Sequence, residues 1–283
     1  MLKLLKKRLF RLCAFTTCLM TLTACGGGST TGFPPVVTGF KAQSLLYSRQ
    51  AIIYIGGNDL RRDMSVDTGG ACTSPSFASS SGTTLLVLNC TVVKVGDMPL
   101  TLKDGNGNVV YQTTVTVPKP QVTIATSSGN ITLELDPTAA PITVNNFLTY
   151  LHGGFYTSTL FHRVIAGFMI QGGGYTTGLV KKNGQNAPIT LESNNGLSNL
   201  RGTIAMARTN DADSATSEFF INAVNNAFLD YQSASSPGYA VFGTVLQGMD
   251  VVDAIAKQAT GTVNGVADVP LTDVTIKSVS QIK

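Results

Sequence analysis

The sequence predicts a mainly β protein in which a small β-sandwich precedes a closed eight-stranded antiparallel barrel capped by two helices. Three observations predict it. Short runs of alternating apolar and polar residues, rich in Val, Thr, Ile and Leu, recur from about residue 37 onward. Only two stretches carry the i, i+3, i+4 spacing of an amphipathic helix. The strand-like runs also follow one another closely, as antiparallel neighbours do. Of 283 residues, 43% are hydrophobic and 13% charged, which suits one or two globular domains and excludes disorder, collagen and coiled coil.

The first 25 residues read as an address. Residues 1–11 are basic, residues 12–24 are apolar or small, and Leu22-Thr23-Ala24-Cys25 follows, the layout of a secretory signal with its cleavage site. Thirteen residues are too few to span a bilayer as a helix. The tetrad resembles the lipobox of bacterial lipoproteins, in which the Cys is acylated and becomes the new amino terminus. That resemblance implies a signal peptide over residues 1–24, lipidation at Cys25 and a membrane anchor. Gly26, standing where an Asp would retain the protein at the inner membrane, implies the outer membrane of the bacterial cell envelope, facing the periplasm. An ordinary signal peptide cut near Cys25 is the alternative.

Charge and cysteine usage agree with export. Lys3, Lys6, Lys7, Arg8 and Arg11 all precede the cut; without them, 15 of the 20 bases face 16 acids. The mature chain therefore lacks the basic excess that a phosphate backbone needs, and nucleic acid is not an expected partner. Cys13 and Cys18 leave with the signal, so Cys72 and Cys90 remain beside the lipidated Cys25. In an oxidising compartment they are expected as a disulfide closing 17 intervening residues, with two buried thiols as the alternative.

After the cut, residues 25–36 include GGGSTTGFPP, an aperiodic Gly, Ser, Thr and Pro segment that reads as a flexible tether. Residues 37–118 carry strand patterns at 51–55, 84–93, 99–103 and 109–117. Between the last two, Asp104-Gly105-Asn106-Gly107-Asn108 is a hairpin turn, because Gly and Asn accept positive φ. The pattern loosely resembles bacterial immunoglobulin-like β-sandwich modules, which implies a spacer or binding role and no catalytic residues. Lys119-Pro120 is a short hinge.

Residues 121–283 hold the expected barrel. Strands are predicted at 121–126, 130–135, 161–165, 168–172, 203–208, 219–223, 240–245 and 274–282. One helix is fixed by Val144, Phe147, Leu148 and Leu151 behind Pro141, and a second fits 249–258 with Val251, Val252, Ile255 and Ala256 inward.

The run from Tyr156 to Gly173, containing Phe161-His162-Arg163, Phe168-Met169 and Gln171-Gly172-Gly173, resembles the signature of the cyclophilins, the peptidyl-prolyl cis-trans isomerases. RGTIAMART at 201–209, SATSEFFI at 214–221, AFLD at 227–230 and Val241-Phe242-Gly243 match compact bacterial members in the same order. The resemblance spans 121–283 and implies proline-containing polypeptides as partners, no cofactor, no metal, and a monomer. It implies that Arg163, Phe168 and Gln171 are catalytic. Met169, Ala207, Arg208, Glu218, Phe220, Phe228, Leu229 and Tyr239 would bind substrate, with Phe168, Met169, Phe220 and Leu229 around the proline ring. A proline-peptide-binding or chaperone lipoprotein with little catalysis is the other reading.

Three residues depart from the family pattern. Glu218 stands where Gln is usual, exchanging a donor and acceptor for a group that only accepts when ionised. This predicts an altered peptide preference or pH dependence. Phe228 replaces the Trp of many eukaryotic relatives, which implies weak cyclosporin binding, and Tyr239 replaces a His. His162 is expected as a core histidine facing away from Arg163, and His152 as a helix-end residue. With no third His, a zinc site fails on ligand count.

Overall fold

The computed structural model describes residues 33–283, so Cys25 and the signal segment lie outside the described residues. Seven strands come first: β1 (Val36–Gln43), β2 (Gln50–Asn58), β3 (Ser65–Asp67), β4 (Cys72–Phe77), β5 (Leu85–Val92), β6 (Gly96–Lys103) and β7 (Val109–Val117). They form two antiparallel sheets, ordered β1-β2-β5-β4 and β3-β6-β7. Alternate residues of both sheets, among them Ile53, Ile55, Leu86, Leu88, Met98 and Leu100, close one buried core. The Asp104 turn forms as expected, its carboxylate accepting from the backbone N–H groups of Asn106 and Asn108. Cys72 and Cys90 lie with Cα atoms 5.5 Å apart and their sulfurs adjacent. Strands β1, β3 and β4 are additions to the sequence reading; they are largely exposed, so alternation toward a core is weak there.

The second part contains β8 (Gln121–Thr126), β9 (Gly129–Leu135), α1 (Pro141–His152), β10 (Arg163–Ile165), β11 (Met169–Gly172), β12 (Tyr175–Thr176), β13 (Val180–Lys181), β14 (Thr203–Met206), β15 (Phe219–Asn222), β16 (Val241–Gln247), α2 (Met249–Ala256), β17 (Thr260–Val263), β18 (Val266–Pro270) and β19 (Ile276–Gln281). Its main sheet runs β10-β11-β15-β14-β16-β9-β8-β19. Those are the eight strands expected from alternation, and both helices form.

The expected closed ring does not. The sheet is an open half-barrel with β10 and β19 as its edges. β10 supplies only three paired residues, too few to carry a ladder across to β19. Just ahead of β10 the gap is crossed by a Leu160–Thr275 bridge and by backbone hydrogen bonds such as Phe161 N–H to the Val274 carbonyl (2.9 Å) and Ile276 N–H to the Thr159 carbonyl (2.7 Å), without a continuous ladder.

Helix α1 begins at Pro141 behind Ala140, which offers no side-chain cap. The cap arrives from far along the chain: Glu192 accepts from the backbone N–H groups of Ile142 (3.0 Å) and Thr143 (2.8 Å), a carboxylate placed at the positive end of the helix. The inward face of α1 delivers Phe147 to an aromatic interior shared with Tyr156, Phe219 and Phe242. The inside of the half-barrel is therefore filled, and a site on this sheet has to lie on its outer face.

The expected hinge is tied down. Pro120 is buried and its carbonyl accepts from Leu135 N–H, while Lys119 pairs with Asp136 at 2.7 Å. Tyr47, from the loop between β1 and β2, is 3% exposed and belongs to the core cluster of the β8–β19 part, and its carbonyl accepts from Gln281 Nε2 at 3.2 Å.

Candidate active site

Strand alternation builds the site. On β11, Ile170 points into the filled interior while Met169 and Gln171 point outward; on β15, Phe219 and Ile221 are inside and Phe220 outside. Ala205 of β14 and Val241 of β16 continue the outer face. Register aligns these outer positions into one row, since Arg163 pairs with Gln171, Gln171 with Phe220, and Phe220 with Ala205. Met169, Ala205, Phe220 and Val241, each under 5% exposed, form a separate apolar cluster, with Phe168, Leu229 and Tyr239 packed around it.

Above this cluster opens a hollow of about 400 Å³ lined by Arg163, Phe168, Met169, Gln171, Ala207, Arg208, Phe220, Leu229 and Tyr239. Nine of the eleven residues expected at the site thus meet at one cavity. The other two stand beside it. Phe228 is 66% exposed and stacks on the ring of Phe168 at 5.7 Å, so it extends the rim instead of lining the hollow. Glu218 lies in an adjoining recess of about 220 Å³ shared with Gln171, Lys181, Arg208, Thr209, Ser214 and Thr216. A cleft of about 410 Å³ elsewhere on the sheet holds the Lys119–Asp136 pair but none of these residues.

A polar chain runs beneath the guanidinium. Arg163 Nη1 donates to Gln171 Oε1 (3.4 Å), Gln171 Nε2 donates to Glu218 Oε2 (2.9 Å), and the same oxygen lies 3.3 Å from His162 Nε2. Burial drives the Glu218 carboxyl up, but the His162 hydrogen bond and charge, with the Gln171 N–H and Lys181, more than offset this; the net shift is below the ordinary carboxylate value. His162 is buried against Tyr175, as expected of a core histidine, yet its Nε2 faces the Glu218 of this chain, a link the sequence did not reveal. Arg208 donates to the Gly238 and Thr209 carbonyls and lies 4.7 Å over the Tyr239 ring, which fixes one wall. Ala207 N–H donates to the Glu218 carbonyl.

Two sets of residues escaped the sequence reading. Asn199, Asn222 and Asn226 are buried and hydrogen-bonded to one another, and they hold the walls: Asn226 Nδ2 donates to the Phe168 carbonyl (3.0 Å) and Asn199 Nδ2 to the Leu229 carbonyl (3.2 Å). The signal was present as three Asn within otherwise apolar or small surroundings, since buried amides require partners. The other is Asp268, whose Oδ2 lies 3.6 Å from Arg163 Nε. The Gly172-Gly173-Gly174 run is explained by close packing: a Cβ on Gly174 would sit 2.5 Å from Glu218 Cγ. Among the described residues no group of three His, Cys, Asp or Glu is placed to hold a metal.

A ring-sized apolar hollow with a permanent cation on its rim defines a protein that grips a side chain and presses charge onto the adjoining backbone, the arrangement of a peptide-bond isomerase. Residues 121–281 match the family model for cyclophilin type peptidyl-prolyl cis-trans isomerase/CLD. The chain belongs to this family, and it is a peptidyl-prolyl cis-trans isomerase. It is 51% identical over 162 residues to peptidyl-prolyl cis-trans isomerase A of Dickeya dadantii, covering 57% of this chain and 84% of that one. It is 52% identical over 161 residues to peptidyl-prolyl cis-trans isomerase B of Escherichia coli, covering 56% and 98%. Among solved structures, a Cryptosporidium parvum cyclophilin type isomerase determined in the presence of the dipeptide Ala-Pro is similar at a TM-score of 0.50 and 25% identity, covering 58% of this chain and 99% of that one.

Proposed function

We propose that the chain is a lipid-anchored envelope isomerase that accelerates X-Pro rotation in exported proteins, with Arg163 as the catalytic residue. The peptide C–N bond resists rotation by roughly 18–20 kcal/mol through amide resonance, whereas X-Pro cis and trans differ by only about 0.5–1 kcal/mol. Catalysis needs no bond to break. It needs a grip on the ring and stabilisation of a nitrogen that regains its lone pair as the amide twists. Phe168, Met169, Phe220 and Leu229 supply the grip. Arg163 supplies a donor to the twisting carbonyl and the prolyl nitrogen, with Gln171 orienting it. The observation that carries the reading is Arg163 on the rim of that apolar hollow.

The tetrad ending in Cys25 supports the lipid anchor and a periplasmic station at the outer membrane. The seven strands in two sheets support an immunoglobulin-like module over 37–118 ahead of the isomerase domain at 121–283, and the adjacent Cys72 and Cys90 support a disulfide in an oxidising compartment. Phe228, in place of an indole, supports weak cyclosporin binding, and a monomer is the expected state.

The test is isomerase activity of the full chain on an Ala-Ala-Pro-Phe type peptide, by protease coupling or NMR exchange. Arg163→Ala is expected to lower kcat/KM by about 10²- to 10³-fold. Equal rates for wild type and variant would remove Arg163 from catalysis, and a wild-type rate equal to the uncatalysed one would leave a proline-peptide-binding lipoprotein.

A further inference from the structure

We infer that Asp268 is a positioning residue for Arg163, one that fixes the guanidinium from the side opposite Gln171. The inference rests on the catalytic reading of Arg163 given above. Arg163 opens β10, an edge strand with no sheet neighbour on its outer side. The β17–β18 hairpin packs against that edge, and Asp268 is the residue of the hairpin that reaches the guanidinium, with Oδ2 3.6 Å from Nε.

Backbone geometry at Asp268 is built for that reach. The β17–β18 register passes from Gly261 opposite Val269 to Val263 opposite Val266, so β18 carries one residue more than β17 across this interval. That is a β-bulge, a device that re-aims a side chain beside a site. Asp268 adopts φ +64° within it, a left-handed conformation that disfavours a residue bearing a Cβ. The flanking Val269 is 4% exposed and anchors the hairpin. A left-handed non-glycine residue that ends on the catalytic cation is strain put to use.

Two contacts divide the guanidinium. Asp268 takes the Nε side and Gln171 Oε1 takes Nη1, and among the described residues Nη2 has no protein partner, which leaves it to the ligand at the hollow. Both side chains of the ion pair are about 40% exposed, so the pair contributes little to stability and its role is to hold a direction. Arg163 has several rotatable bonds, and a misplacement of about 1 Å costs on the order of 10²-fold in rate.

The experiment compares Asp268→Gly, Asp268→Asn and Asp268→Ala in the full chain by NMR lineshape analysis, which yields peptide affinity and on-enzyme exchange rate separately. Glycine relieves the positive φ, so Asp268→Gly is expected to keep or raise the unfolding midpoint while the exchange rate falls about tenfold and peptide affinity stays within about twofold. Asp268→Asn, which tolerates the same φ and keeps one acceptor, is expected to fall between glycine and wild type. In an Arg163→Ala background, Asp268→Gly is expected to change nothing further, because its effect passes through that side chain. Wild-type exchange in Asp268→Gly, or an equal loss in the Arg163→Ala background, would overturn the inference. Full activity of Arg163→Ala alone would instead remove the catalytic reading beneath it.

Discussion

Gln171 donates its amide to Glu218 Oε2 at 2.9 Å, and this bond agrees with the donor-only Arg163 at the other end on which way the amide faces. An ionised carboxylate only accepts, so Gln171 Nε2 must point to Glu218 and Oε1 to Arg163 Nη1. Glu218→Gln relaxes the hold at one end, because a Gln there can pair with either face of the Gln171 amide and only the Arg163 contact still sets its direction. The expected outcome is a drop in kcat/KM of about threefold to tenfold and a changed preference at the residue before proline, read across a peptide series. Identical kinetics across the series would dismiss the role. Because the folded value of Glu218 lies below the ordinary carboxylate value, its stabilising pairing is complete above that ordinary value and is lost only as pH falls through the lower, folded one. Activity should therefore show no Glu218 titration between pH 5 and 8, and a loss of stability in Glu218→Gln should vanish at still lower pH.

Asn226 ties the Phe168 carbonyl to Asn222. Asn226→Ala leaves buried polar groups unpaired and is expected to cost about 1–3 kcal/mol in denaturant unfolding, with weaker peptide binding because one wall of the hollow loosens. Unchanged stability and affinity together would show the wall to be held by packing alone.

Cys72 and Cys90, at a sequence separation of 18, have adjacent sulfurs within the N-terminal sheets, and the proposed disulfide would close a short loop. Replacing both by Ala is expected to lower stability by about 3 kcal/mol in the chain-entropy picture and to leave kcat/KM unchanged, since neither lines the hollow. A mass spectrum of the protein purified from an oxidising compartment without the two-dalton oxidation signature would contradict the pairing.

Tyr47 is buried in the core of the isomerase part. Tyr47→Ala is expected to lower the unfolding free energy by about 3 kcal/mol or more, as large-to-small changes in a core do. An unaltered melting curve would show that the β1–β2 loop is not seated there in solution.

His152, at the end of α1, faces Gln281 Oε1 at 2.9 Å. Burial pushes its pKa down, the Gln281 contact opposes this, and the charge of Arg49 adds to the lowering. A lowered folded value means the unfolded chain binds the proton more readily. The contribution to stability is present above the ordinary histidine value and is lost as pH falls through the folded one. Unfolding free energy measured from pH 7.5 down to 5 should fall, and His152→Gln should flatten that part of the profile.

The strands of the main sheet were legible because each has one face against a filled interior: Phe219, Ile221, Ile170 and Phe242 alternate with outward residues, and period two survives in the sequence. Arg163, Phe168 and Gln171 were legible only through family resemblance, since alternation says which face a residue takes and nothing about its chemistry. Asp268 was illegible on either basis. It sits in a half-buried five-residue strand and owes its direction to an inserted residue and a positive φ, neither of which leaves a mark in composition. The ring was read as closed because eight strands suffice for closure; the pairing of β10 stops after three residues, which no periodicity reports.

A half-barrel stuffed with its own rings separates two kinds of selection. A change such as Phe228, 66% exposed and stacked on Phe168 at the rim, lies outside that interior, so what the rim grips can vary without troubling the folding of the scaffold underneath.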